Sequence, residues 1–460
     1  MSCRPRKIGD CAKFFGASLV VILNTSSAFA DGSVTEAGAS SGIAAPGAAI
    51  PGAALPQPLA GADGPRPDGG IAFHGWMLYP SLFAGGVFND NVYATPTNRT
   101  AAFGLRLTPN FEADLDNGLY KTTVYGTADA QLYPGHNPSL GETASTVSAR
   151  AGLAQIWSPT SDIVTRFNVD YTRQDSPFGS TLITGAPIGS ATSFIGAPVA
   201  LNVYGFRQFT DQTTGNLSVQ KNVTDQIFVR IGIGAQQLIY ESPPTGFVSA
   251  QNSVDYNAFI RGGFWVTPQV AAFVETGGDL RRYNSSSFYD TNNYRVIGGL
   301  ASDMIGLFRG EVYGGMQEQL SARGVFSPLI APAYGARLTY YPTRYLNIAA
   351  SVDNNFGSAG AATSLSPVSA NTQTLQARLQ ADYAMFQSWK ASARGGFADT
   401  RYYGSSASNQ AWLGGFGVSY SIWRNLGLTL DYQYTNSTSN GLGALSYSDN
   451  LVSAGVNYRY

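Results

Sequence analysis

Charge is scarce in this chain. Of its 460 residues only 12% are Asp, Glu, Lys or Arg, about half the share of roughly 25% found in soluble domains. The length alone would suggest two or three soluble domains, but there is too little charge to cover them. Histidine is scarcer still, with two in the whole chain. Neither His74 nor His136 has an acid–nucleophile arrangement nearby, which argues against hydrolytic chemistry and an enzyme. No P-loop, dinucleotide fingerprint or metal-ligand cluster occurs, so no cofactor and no metal are expected. Apolar runs of about 20 residues are missing, which excludes a bundle of transmembrane helices. A net charge of −1 gives no electrostatic footprint for nucleic acid.

Both cysteines, Cys3 and Cys11, lie in a segment with the grammar of an export signal. Arg4, Arg6, Lys7 and Lys13 are its basic part, Phe14 to Leu23 its apolar part, and Ala28-Phe29-Ala30 its small-x-small end. Cleavage after Ala30 is expected. It removes four basic residues and one acidic one, leaving 24 against 28 and a charge of −4. The mature chain is then free of thiols, as suits an oxidising compartment without a disulfide framework. Residues 31–70 are Gly, Ala and Pro with almost nothing large, so they cannot bury a core. They read as a disordered periplasmic tether, with a plug inside a pore as the alternative.

What the chain has in quantity is glycine (53), tyrosine (26) and phenylalanine (25). From Trp76 onward, segments of about 10 to 15 residues alternate apolar and polar with a period of two, as a strand with one apolar face does. One segment sets Leu426, Leu428, Leu430, Tyr432 and Tyr434 against Gly427, Thr429, Asp431 and Gln433. Another sets Ile227, Val229, Ile231 and Ile233 against Phe228, Arg230, Gly232 and Gly234. In the well-patterned segments the charges fall on the polar face and none on the apolar one. The segments are twice the length usual in a soluble sandwich, and they match the roughly 9 to 11 residues that cross a bilayer as a strand. An open edge in lipid would leave backbone groups unsatisfied, so the sheet must close. The expected fold is all-β: a single transmembrane antiparallel up-and-down barrel over residues 71–460.

Connections set the count. Tight turns such as Asp116-Asn117-Gly118, Thr267-Pro268-Gln269 and Trp423-Arg424-Asn425 alternate with longer polar loops. Eight turns and nine loops join about 18 strands, with 16 to 20 allowed. Both termini then fall on the short-turn side, which in outer-membrane barrels is the periplasm. Pro80 and Pro109 fall inside strands and call for a bulge or a place near the rim. Tyr458 and Tyr460 end an alternating last segment and read as an assembly signal for the barrel assembly machinery.

Tyr79-Pro80-Ser81-Leu82 with Asn89-Asp90-Asn91-Val92-Tyr93, and Asn425-Leu426-Gly427-Leu428 with Asp431-Tyr432-Gln433-Tyr434, resemble the β-barrel porin type 2 family. The resemblance covers roughly Trp76 to Tyr460. It implies an exported barrel in the outer membrane of a Gram-negative bacterium, and it supplies no catalytic residues.

A barrel of this size is wide enough to leave an aqueous channel. The pore-lining candidates are Arg166, Asp170, Arg230, Arg261, Glu275, Asp279, Arg281, Arg295, Arg309, Glu311, Arg337, Arg378, Asp382 and Arg394, on a polar face that as a whole mixes Arg with Asp and Glu in near balance. Balance of this kind predicts passive diffusion of small hydrophilic solutes with weak charge selectivity. The alternatives are an exopolysaccharide export channel with a periplasmic partner, and a closed structural or adhesive barrel. The long third outer loop carries no charge after Asp175. Phe178, Ile183, Pro187, Ile188 and Phe194 are its candidates for an inward constriction, against a loop that stays at the surface. Tyr125, Tyr313 and Phe273 are inward aromatics on which sugars could stack. Expected partners are outer-membrane lipid, lipopolysaccharide and the assembly machinery. A homo-oligomer is allowed; nucleic acid is not expected.

Overall fold

Alternation of apolar and polar residues becomes strand after strand in the computed structural model, which describes residues 70–135, 144–176, 208–241, 252–284, 290–324, 327–358, 371–385, 388–403, 408–440 and 446–460. The expected leader ending at Ala30, the expected tether but for Gly70, His136 and all five third-loop candidates lie outside these residues. The strands are β1 (Ile71–Phe73), β2 (Trp76–Asn89), β3 (Ala102–Asp116), β4 (Tyr120–Leu132), β5 (Thr146–Thr160) and β6 (Ile163–Ser176). There follow β7 (Gln208–Asn222), β8 (Ile227–Glu241), β9 (Ser253–Thr267), β10 (Val270–Tyr283), β11 (Thr291–Ile305), β12 (Phe308–Ser321) and β13 (Leu329–Thr343). The last six are β14 (Leu346–Ser358), β15 (Asn371–Ala384), β16 (Trp389–Tyr402), β17 (Ser408–Ser421), β18 (Leu426–Asn440) and β19 (Tyr447–Arg459). No helix among the described residues is long and apolar enough to cross a membrane.

From β2 to β19 each strand pairs antiparallel with its neighbours in sequence, and β19 pairs back onto β2 from Leu451↔Asn89 to Arg459↔Ser81. The wall is thus a closed barrel of eighteen strands, as the turn count predicts. Closure leaves no exposed sheet edge. The short β1 lies outside that count and pairs with β2 at Trp76 to Leu78. It takes up the stretch of β2 beyond the end of β19, where the Tyr460 amide donates to the Pro80 carbonyl at 3.1 Å. This side of β2 is therefore covered by β19 from Asn89 to Ser81 and by β1 from Leu78 to Trp76.

Pairing gives each strand an outer and a lumen face. Leu105, Ile231, Val296, Val312, Leu379 and Leu430 are exposed on the outer face, in an apolar band far larger than a soluble monomer exposes. Trp157, Phe264, Phe308, Tyr383 and Trp389 stand exposed near the short turns. Phe103, Tyr256, Tyr294, Trp412 and Tyr432 stand exposed towards the longer loops. These two aromatic levels bracket the aliphatic ones, the arrangement of interfacial girdles.

The outer face is not free of charge, which corrects the expectation from alternation. Arg173 and Asp211 both point outward near the loop ends of β6 and β7, where they meet each other at 3.4 Å. The Tyr171 hydroxyl donates to the same carboxylate at 2.9 Å. Their place at the end of the wall puts them at headgroup depth, where paired charges cost little. Pro109 needs no bulge. The β3–β4 ladder is interrupted at Thr108 and Pro109 and resumes at Asn110↔Thr127 in the same register, so the missing amide falls in a gap of the ladder.

Candidate functional site

The lumen wall is the site, and its charges are organised in pairs that reach past the nearest strand. On β4 and β6 the Tyr125 hydroxyl donates to Asp170 at 2.5 Å, and Arg150 Nε on β5 donates to the same carboxylate at 2.8 Å. On β12 and β14 the Tyr313 hydroxyl donates to Asp353 at 2.6 Å, and Arg337 on β13 lies 3.4 Å from it. Each tyrosine crosses a glycine on the strand between: Tyr125↔Gly152↔Asp170 and Tyr313↔Gly335↔Asp353 are successive partners across the sheet. A Cβ on Gly152 would overlap the Tyr125 hydroxyl, and one on Gly335 would stand 2.5 Å from the Tyr313 ring. Only glycine lets the ring lie flat there. Both tyrosines therefore brace the wall. Tyr313 and Phe273 are buried and offer no open face to a sugar, contrary to the expectation of stacking.

The densest network runs from β9 to β12. Arg261 donates to Glu275 at 2.9 Å and to Glu311 at 3.0 Å, and Arg295 donates to the other oxygen of Glu275 at 2.7 Å. Arg261 and Glu275 are each 1% exposed, so these pairs are desolvated and held by matched geometry. The Arg261 guanidinium also sits 3.7 Å from the Phe273 ring centroid.

The other predicted lumen residues take their places on this face. Arg281 grips Asp255 with two hydrogen bonds of 2.6 and 2.8 Å. Its neighbour Arg282 points outward and donates to the carbonyls of Arg281 and Thr291. Asp279 accepts from Asn293 at 2.6 Å and Asp382 from Gln380 at 2.8 Å. Arg394 spans β17 to hold Asp431 through two bonds of 2.8 and 2.6 Å. Arg309 and Arg378 share the face through the registers of β12 and β15. Arg166 and Arg230 also lie on it, opposite Ser218 and Arg261 respectively. Sequence reasoning passed over Arg106 with Asp129, joined at 2.7 and 3.1 Å, as well as Arg150 and Asp255. All four follow the same period-two parity in strands whose outer faces are less uniformly apolar.

The described connection that folds onto the lumen is the first outer loop. Val92 and Tyr93 are buried in one cluster with Val87, Tyr133 and Ala144, against Ala102 and Leu451. Val87, Ala102 and Leu451 belong to the lumen face, so the loop packs against the lumen wall at the loop ends of β19, β2 and β3. Burial pushes the Tyr93 phenol above its ordinary range. Asn91 fixes the turn: its side chain donates to the Thr95 and Ser448 carbonyls and accepts from the Thr95 amide. The signal in the sequence was two apolar residues, Val92 and Tyr93, at the head of an otherwise polar loop.

Among solved structures the chain is similar to large barrels of other bacteria. The siderophore receptor PirA of Pseudomonas aeruginosa matches at 9% identity and a TM-score of 0.37, over 83% of this chain and 80% of that one. The FrpB iron transporter of Neisseria meningitidis, in its F5-1 apoprotein form, matches at 7% and 0.41, over 85% and 82%. No curated protein matches. The description Putative beta-barrel porin 2 matches residues 66–460, a span that holds every strand from β1 to β19. The chain belongs to that family of bacterial outer-membrane β-barrels.

Proposed function

We propose that the barrel is a channel for passive diffusion of small hydrophilic solutes across the outer membrane, with weak charge selectivity and no enzymatic activity. The observation that carries this reading is the lumen face of β2 to β19, where guanidinium groups are paired with carboxylates along the wall rather than gathered with one sign of charge. Selective pores concentrate one sign at their lining. Short turns at the end shared by β1 and Tyr460 support a periplasmic position for both termini. The outward Tyr458 and Tyr460 support recognition by the assembly machinery, and the outer apolar band supports contact with lipid and lipopolysaccharide.

Single-channel recording of the refolded barrel in planar bilayers tests the reading. Stable openings with a reversal potential close to zero across a salt gradient are expected. Folded barrel that never conducts would overturn it and favour a closed structural barrel. Conductance that appears only with a periplasmic partner would favour polysaccharide export.

A further inference from the structure

One sector of the lumen wall carries positive charge that the described residues do not balance. Arg230 on β8 faces Arg261 on β9 as its direct partner across the ladder. It is 1% exposed. Its Nη2 donates to Ser218 Oγ at 3.3 Å, while Nε and Nη1 have no acceptor among the described residues. Arg166 on β6 stands opposite that same Ser218, and its Nη1 also has no acceptor among them. Among the described residues no carboxylate lies within 4.0 Å of either guanidinium.

The nearby acids are already engaged. Glu275 is taken by Arg261 and Arg295, and Glu311 by Arg261. Asp170, the next acid along β6 from Arg166, is held by Arg150 and Tyr125. Arg166 and Arg230 are thus members of this patch to which the described residues bring no carboxylate. Elsewhere the chain closes such forks itself, as Arg281 does on Asp255 and Arg394 on Asp431. A buried guanidinium without a counter-charge is costly to keep.

The shape of the patch suits a ligand. Across the sheet from Arg166 the next two lumen residues are Ser218 and Gly232, so the wall is low between the two arginines. Arg166 is only half-buried. A planar fork with free N–H groups beside a second guanidinium recognises an oxyanion.

We propose that Arg166 and Arg230, with Ser218 between them, form a binding site on the lumen wall for a small oxyanion: phosphate, sulfate or the carboxylate of a sugar acid. The site rests on the channel reading only in that its ligand arrives through the lumen. Equilibrium dialysis of radiolabelled inorganic phosphate against the detergent-refolded barrel tests it without conductance, with cold-gel mobility reporting the folded fraction. Saturable binding near one phosphate per barrel is expected. Arg166→Gln and Arg230→Gln should each weaken it by about tenfold or more, as loss of a charged hydrogen bond does. Arg230→Lys, which keeps the charge, should lose less and replaces Arg230→Gln if that variant does not fold. Arg401→Gln, on the outer face, should bind as the parent does. Competition by sulfate or by galacturonate tells an inorganic ion from a sugar acid, and either supports the site. Absence of saturable binding to folded barrel, or an equal loss in Arg401→Gln, would overturn it. A barrel that binds phosphate through Arg166 but does not conduct sinks the diffusion reading and keeps the site.

Discussion

Asp90 holds Asn450 across the seam where the first barrel strand meets the last. One carboxylate oxygen accepts the Asn450 amide at 2.6 Å and the other accepts its side-chain Nδ2 at 2.7 Å. The Asp90 amide returns a bond to the Asn450 carbonyl at 3.1 Å. Asn91 on one side reaches Ser448 at 3.0 Å, and Arg99 reaches the Ser448 hydroxyl at 2.7 Å. The run Asn89-Asp90-Asn91 that carries the family resemblance is therefore the latch at the loop end of the seam, while β1 closes its turn end.

Removing that carboxylate should loosen the closure. Asp90→Ala loses two charge-assisted acceptors, a destabilisation of about 1–3 kcal/mol. The temperature at which the folded band disappears on semi-native gels should fall by several degrees. An unchanged midpoint in a normally assembled variant would show that strand pairing alone closes the seam.

Gly335 is expected to tolerate no side chain while Tyr313 lies over it. Gly335→Ala should cost about 1–3 kcal/mol, the range for overpacking. In a Tyr313→Ser background, where the ring is gone, the same change should be nearly free. A double-mutant cycle in urea unfolding reads this coupling. Equal costs in both backgrounds would mean that the ring yields readily and that Gly335 is there for another reason.

How much of this was legible in the chain can be followed residue by residue. Ile231 and Arg230 went to opposite faces from the period of two alone, because in a strand that period is rigid. The turns at Asp116-Asn117-Gly118 and Trp423-Arg424-Asn425 were readable from local backbone chemistry. Partner choice was not, because Tyr313 finds Asp353 two strands away and that meeting depends on a register the sequence does not print. The same holds for Arg230, whose lack of a counter-charge is a property of its neighbours across the sheet. Arg173 and Asp211 escaped because alternation weakens at strand ends, where headgroups replace hydrocarbon.

Leu430 and Thr429 are adjacent on β18 but belong to opposite sides of the wall, Leu430 being 54% exposed on the outer face. Leu430→Arg places a cation in hydrocarbon at a cost of up to about 4 kcal/mol, depending on depth. Its folded fraction after refolding into lipid vesicles should drop sharply. Thr429→Arg puts the same charge into the lumen and should fold close to the parent yield. Equal yields would contradict the assignment of faces and with it the membrane setting of the band.

Tyr93 offers the most direct test of what narrows the mouth. Its ring is buried in the cluster with Val87, Val92 and Tyr133 on the lumen side, so apolar contact holds this part of the first loop inward. Tyr93→Ala removes the largest apolar contact of the loop, a loss of about 3 kcal/mol or more for a buried aromatic. The loop should then release from the wall while Asp90 still latches the seam. Single-channel conductance should rise and its open-state noise increase. If conductance and noise match the parent in a folded Tyr93→Ala barrel, the narrowest point lies elsewhere along the lumen, and the first loop is a cover for the rim.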